Sequence, residues 1–180
     1  FPHNMAIGAT RDTEAAKYEG EVTARQARAL GVHWVFAPVA DVNNNAANPV
    51  INNRSFGEDP TEVAKMVAAF IDGAHSDKSR PVLVTAKHFP GHGDTDVDSH
   101  LGLAKLGASR ERMDQVELKP FQLAIAHGAD AIMTAHMTVP ALEPEEIPAT
   151  VSPKVLTGLL RNELKFKGLI VTDAMDMQGL

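Results

Sequence analysis

The sequence contains no cysteine. A disulfide framework and a thiolate metal site are both excluded. Aromatics are scarce, with one Trp, one Tyr and seven Phe, and Trp34 and Phe36 read as core residues rather than stacking platforms. Positive charge is not in excess. The net charge is -6 and the pI near 5.7, which argues against a nucleic-acid binder that tracks phosphates with a basic face. No apolar run approaches the length of a membrane-spanning helix. There is no linker-like Pro- or Ser-rich tract and no charge block, so residues 1–180 read as one domain. There is no initiator Met and no signal-peptide pattern at Phe1-Pro2-His3-Asn4, and the chain stops at Met177-Gln178-Gly179-Leu180 just after an apolar run. Both ends read as cut. The expectation is a fragment, with its compartment left open.

The chain holds 44% hydrophobic and 22% charged residues, in the range of soluble globular proteins. Four short apolar runs, rich in β-branched residues, stand out: 32–39, 82–85, 131–135 and 169–172. They are continuous rather than alternating, as for strands buried on both faces of a parallel sheet. Helical segments separate them. One covers 13–30. A second starts with Asp59 as N-cap, Pro60 and Glu62, and runs to His75. A third covers 110–127, divided at Pro120 and closed by Gly128. A fourth starts at Ser152-Pro153 and ends before Gly168. Met5, Met66 and Met133 read as core fillers.

The alternation of helix and strand predicts an α/β fold with a parallel sheet. Each predicted strand delivers ionisable residues at its C-terminal end: Asp41, then Lys87 and His88, then His136, then Asp173. In a (β/α)8 barrel that end is the active-site face. A doubly wound sheet gathers ligands at one switch point instead. Polar residues after all four strands favour the barrel, of which this chain would be half.

The stretch KHFPGHGDTDVDSH, residues 87–100, concentrates the chemistry. A solvated turn is the plainest reading of it. Asp94, Asp96 and Asp98 have the opening spacing of an EF-hand loop, but Ser99 stands where Gly is required and Lys105 where Glu is required. His88 and His92 are four apart, yet Pro90 and Gly91 prevent the helix that would align them on zinc. A metal-dependent hydrolase built on this loop stays as an alternative. The third reading is proton transfer. Asp98 and His100 flank Ser99 and can share a side of an extended segment. A carboxylate there fixes the imidazole tautomer and raises its basicity. Lys87 and His88 would donate hydrogen bonds to substrate hydroxyls.

The run Lys87-His88-Phe89-Pro90-Gly91-His92-Gly93-Asp94-Thr95, followed by Asp98-Ser99-His100, closely resembles the signature of glycoside hydrolase family 3, in its β-N-acetylglucosaminidase branch. Ala37 to Val42, Asn48-Pro49 with Arg54 to Pro60, Thr134 to Met137 and Val171 to Met177 resemble further family segments, in order along essentially the whole chain. The resemblance implies part of a (β/α)8 barrel, about its fourth to seventh strands. It implies a retaining glycosidase acting on terminal β-linked N-acetylglucosamine of muropeptides or chito-oligosaccharides. Asp173 would be the nucleophile and His100, paired with Asp98, the general acid/base. Asp41, Arg54, Lys87 and His88 would bind sugar, with His136 near the same pocket. The partner is a carbohydrate, and no cofactor, nucleic acid or membrane is implied. Enzymes of this type occur in the bacterial cytoplasm and outside the membrane. A phosphorylase and a β-glucosidase are the alternatives within the family.

Two further expectations come from the residues themselves. Gly91 and Gly93 would let the loop swing His100 over the sugar. Arg54 has Glu58 as a competing ion-pair partner.

Overall fold

The computed structural model describes all residues, Phe1 to Leu180. A short helix α1 (Asn4–Ala9), not foreseen from sequence, precedes α2 (Thr13–Ala29), β1 (Trp34–Val35) and α3 (Pro60–Ala74). Then come β2 (Leu83–Phe89), β3 (Ala104–Lys105), α4 (Arg110–Gln115), α5 (Lys119–Ala126), β4 (Ala131–Thr134) and β5 (Met137–Thr138). A helix with π-type hydrogen bonding (Lys154–Glu163) leads to β6 (Leu169–Thr172).

The helix starts follow from their side chains. Asp12 accepts from the Glu14 N–H at 3.0 Å. Asp59 accepts from Thr61 and Glu62 at 2.8 and 3.0 Å, with Pro60 at the first position. Ser109 caps α4, and Ser152 takes the Val155 N–H at 3.3 Å. Each satisfies backbone donors that the first turn leaves open. Pro120 does not split a helix: it stands in the first turn of α5, and the break falls before it, after Gln115.

The main sheet has the order β1-β2-β4-β6, all parallel. Strand order follows chain order with no reversal, which is the winding of a barrel and not of a doubly wound sheet. β3 and β5 form a separate parallel pair beside it. The fold is a sector of a (β/α)8 barrel. On the helix side, Val84, Ala86 and Ile132 join Val67, Phe70, Ile71 and Phe121 in one continuous core. The other face carries Trp34, Leu83, Thr85, Met133 and Leu169 by alternation and register. Trp34 Nε1 donates to Thr85 Oγ1 at 2.7 Å across it. This face is only partly covered: Phe36 and Leu169 are each 50% exposed. Phe36, expected as a core residue, therefore lies open, because the face that would be a barrel interior has no opposing strands. Met5 is likewise only part-buried, whereas Met66 and Met133 are in the core.

Candidate active site

The polar strand ends converge as the barrel geometry requires. β2 runs further than its apolar stretch, through Lys87 and His88 to Phe89. Its register against β4 slips between Lys87 and Phe89, so that Lys87 faces Met133 and Phe89 faces Thr134. The extra residue is His88. A bulge of this kind re-aims side chains, and it lets two consecutive residues, Lys87 and His88, both border one cavity. That cavity has a volume of about 250 Å³ and is also lined by Arg54, Ser99, His100 and Asp173. A larger cavity of about 480 Å³ lies between α1 and residues 43–62. Of its carboxylates, Asp59 is engaged as the cap of α3, and no strand end reaches this larger cavity; the smaller cavity is the one that the polar strand ends border.

Asp173 leaves the end of β6. Its N–H bonds Thr134 O at 3.1 Å, and its Oδ1 accepts from the Ala174 N–H at 2.8 Å. Its Oδ2 stands 4.0 Å from His88 Nε2. The Arg54 guanidinium reaches His88 Nε2 at 3.4 Å and Val50 O at 3.1 Å, and so does not turn to Glu58. Lys87 is held below the ordinary lysine range by burial first and by the Arg54 charge second, with Asp173 and Asp41 offsetting part of this.

Asp98 and His100 form the pair expected of them. Asp98 Oδ1 accepts from His100 Nδ1 at 2.6 Å and from the His100 backbone N–H at 2.9 Å. Burial alone would raise the Asp98 carboxyl, but the two bonds and the His100 charge outweigh it and hold it below the usual range. A carboxylate only accepts, so Nδ1 carries hydrogen and Nε2 is left as the working nitrogen. The His100 side chain is 55% exposed.

Two expected sugar-binding residues do not border the cavity. Asp41 is fully buried beneath it. Its carboxylate accepts from the His88 N–H at 3.2 Å, His88 Nδ1 at 2.7 Å and the His92 N–H at 2.7 Å. Burial opposes its ionisation, and these donors with the His88 charge reverse the effect, leaving it lowered. In this structure its carboxylate faces protein donors and orients His88. His136 is also fully buried. Its Nε2 donates to Ala174 O at 3.0 Å and its Nδ1 faces Thr150 Oγ1 at 2.9 Å. It holds the segment that carries Asp173.

Residues outside the sequence expectation anchor the loop. Asn48 donates to the His92 and Thr95 carbonyls at 2.8 and 3.0 Å. Arg112 on α4 bridges Asp94 at 2.8 Å and the buried Glu117 at 3.1 Å. Gly179 and Gln178 donate their N–H groups to the Ser99 and His100 carbonyls at 3.0 and 3.4 Å. Gly91 and Gly93 are buried, and Gly91 has φ 126° in a position where a β-carbon would collide with the Glu117 side chain. No spacing rule could have paired Arg112 with Asp94 or Gly179 with Ser99. The histidines of the loop do not converge as metal ligands: Nδ1 of His88, His92 and His100 goes to Asp41, Thr95 and Asp98 respectively. No three His, Asp or Glu side chains are arranged so that together they could hold a metal ion.

The chain resembles known proteins in sequence and in fold. Beta-hexosaminidase A of Pseudoalteromonas piscicida is 42% identical over 194 residues, covering 100% of this chain and 32% of that protein. A glycoside hydrolase family 3 beta-N-acetylglucosaminidase from Paenibacillus sp. str. FPU-7 superposes with a TM-score of 0.94 at 47% identity, over 98% of this chain and 33% of that one. Beta-glucoside phosphorylase BglX, bound to 2FGlc, superposes with a TM-score of 0.93 at 33% identity, over 99% and 33%. The chain thus spans about a third of the length of these relatives. Residues 1–180 match the glycosyl hydrolase family 3 N terminal domain from end to end, and the chain belongs to that family.

Proposed function

We propose that the chain carries the catalytic site of a retaining glycosidase that removes terminal β-linked N-acetylglucosamine from muropeptides or chito-oligosaccharides. One observation carries the reading: a single cavity is bordered by the Asp173 carboxylate, by His100 with Asp98 behind it, and by Arg54, Lys87 and His88. In the first step Asp173 attacks the anomeric carbon and the bond to the leaving oxygen breaks. His100, as imidazolium, gives its Nε2 proton to that oxygen. In the second step neutral Nε2 takes a proton from water, and the water oxygen displaces Asp173. The carboxylate and the imidazolium are both restored. Retaining enzymes usually use two carboxyl groups for these roles, and here an imidazole does the work of one. The amino-sugar substrate is supported by the Asp98-Ser99-His100 motif and by the names of the relatives at 42% and 47% identity.

A second reading follows from the charges at the cavity. Arg54 and Lys87 border it, and a neutral imidazole repels an anionic acceptor less than a carboxylate would. Phosphate could then replace water in the second step, as the phosphorylase neighbour suggests. The test is the full-length protein on 4-nitrophenyl N-acetyl-β-glucosaminide, with and without phosphate or EDTA, beside Asp173→Ala. We expect turnover that ignores EDTA and falls on the order of 10⁴-fold or more in the variant. Loss of activity to EDTA would point to metal in the histidine loop. Sugar 1-phosphate as the product would establish the phosphorylase. Turnover of the β-glucoside alone would establish a glucosidase.

A further inference from the structure

The acid/base pair lies on a loop, and its Nε2 must meet the glycosidic oxygen to within a fraction of an ångström to be effective. His92 is buried in the base of this loop, 2% exposed. Its ring bonds Thr95 Oγ1 through Nδ1 at 2.6 Å and Ser99 Oγ through Nε2 at 3.0 Å. One assignment of hydrogens uses all of these contacts at once. The Thr95 hydroxyl spends its one hydrogen on the His92 carbonyl at 3.0 Å. Its oxygen can then only accept, so His92 Nδ1 carries the proton. Burial, ahead of the opposing Asp41 charge, holds the ring below the usual histidine range and so neutral. Nε2 is therefore a lone pair, and Ser99 donates to it.

Ser99 is itself 3% exposed and immediately precedes His100. Its carbonyl takes the Gly179 N–H at 3.0 Å, so both its side chain and its backbone are held. The His92 N–H in turn bonds Asp41 Oδ1 at 2.7 Å, and the same carboxylate grips His88. A continuous set of short bonds thus joins His88 to the residue beside His100. The exposed residues of the loop are Asp96, Val97, His100, Leu101 and Leu103, none of which belongs to this set of bonds apart from His100.

We propose that His92 is a positioning residue for the acid/base pair: by accepting from the Ser99 hydroxyl it sets how far His100 reaches into the cavity. The proposal rests on the reading of Asp98 and His100 as acid/base, and its test separates the two. In the full-length protein, Ser99→Ala, Ser99→Thr, His92→Phe and His100→Ala are compared on two substrates. Diacetylchitobiose has a poor leaving group that needs protonation, and 4-nitrophenyl N-acetyl-β-glucosaminide has a good one that does not.

For Ser99→Ala we expect kcat on diacetylchitobiose to fall roughly 10- to 100-fold. KM should hold, the loss on the nitrophenyl substrate should be smaller, and azide should restore turnover with glycosyl azide as product. His92→Phe, which keeps ring bulk without an acceptor, should show the same pattern and serves if Ser99→Ala does not fold. Ser99→Thr keeps the hydroxyl and should stay near wild type. The positioning role is overturned if His100→Ala shows leaving-group dependence and azide rescue while Ser99→Ala and His92→Phe behave as wild type. It is equally overturned if they lose both substrates alike without rescue. If His100→Ala shows neither signature, the acid/base reading itself falls and the positioning role with it.

Discussion

Asp41 illustrates how a buried residue can matter to a site it never touches. Its carboxylate is the common acceptor for two backbone N–H groups and one imidazole. Asp41→Ala would strand these donors in the interior, a loss of about 3 kcal/mol or more. Urea denaturation of the full-length protein should show it, together with a raised KM as His88 loses its orientation. Glu19 on α2 is a second buried carboxyl, pushed up to about 7 by burial. Its folded value lies above the unfolded 4.5, so its contribution to stability is complete below about pH 4.5 and is lost as pH rises through 7. Glu19→Gln should flatten the fall in melting temperature between those limits. A slope unchanged by the substitution would refute this. The strand-end rule located Lys87, His88 and Asp173 beside the cavity, and the Asp-Ser-His spacing located the hydrogen-bonded pair of Asp98 and His100. It could not separate Asp41 and His136 from them, because a side chain at a strand end can turn beneath the site as readily as into it.

At the scale of elements, α2 and α3 touch backbone to backbone. A β-carbon on Gly20 would collide with the Phe70 carbonyl, and one on Gly73 with the Lys17 carbonyl. Gly73→Ala must push the helices apart, at a cost of roughly 1–3 kcal/mol. We expect a lower urea midpoint with an unchanged slope, and a midpoint equal to wild type would show that the helices do not meet this closely. Helix starts were legible from Asp59-Pro60 and Ser152-Pro153 because capping is local. Strand ends were less so. β1 pairs over only two residues, with one further bridge from Val39 to Lys87, although its apolar run is longer. β2 continues through Lys87 and His88 because a barrel mouth tolerates polar residues that still ladder with β4. β3 and β5 gave no periodic signal, and the helix after Ser152-Pro153 was legible as a helix but not in its π-type hydrogen bonding.

At the scale of the whole molecule, the sheet has two free parallel edges, β1 and β6, and an inner face with Phe36, Leu83 and Leu169 open. Unpaired edges and bare apolar area favour association over independent folding. We expect the isolated 180 residues to melt without a sharp cooperative transition, whereas the full-length protein melts cooperatively. A sharp transition from a monomeric sample of the isolated piece would contradict this. The barrel class was legible from the alternation of helix and strand and from the polar strand ends, since both are properties of the chain read in one direction. The contacts that lock the site were not, because they join residues far apart. Among these, the bonds from Gln178 and Gly179 to His100 and Ser99 have an evolutionary consequence. Barrel loops are ordinarily exchanged one at a time, each between its own strand and helix. Here the loop that carries Asp173 and the loop that carries Asp98 and His100 are stitched through their backbones. An insertion in one would shear the other, so the two should be inherited as a pair, with substrate range drifting mainly through the unstitched loops around them.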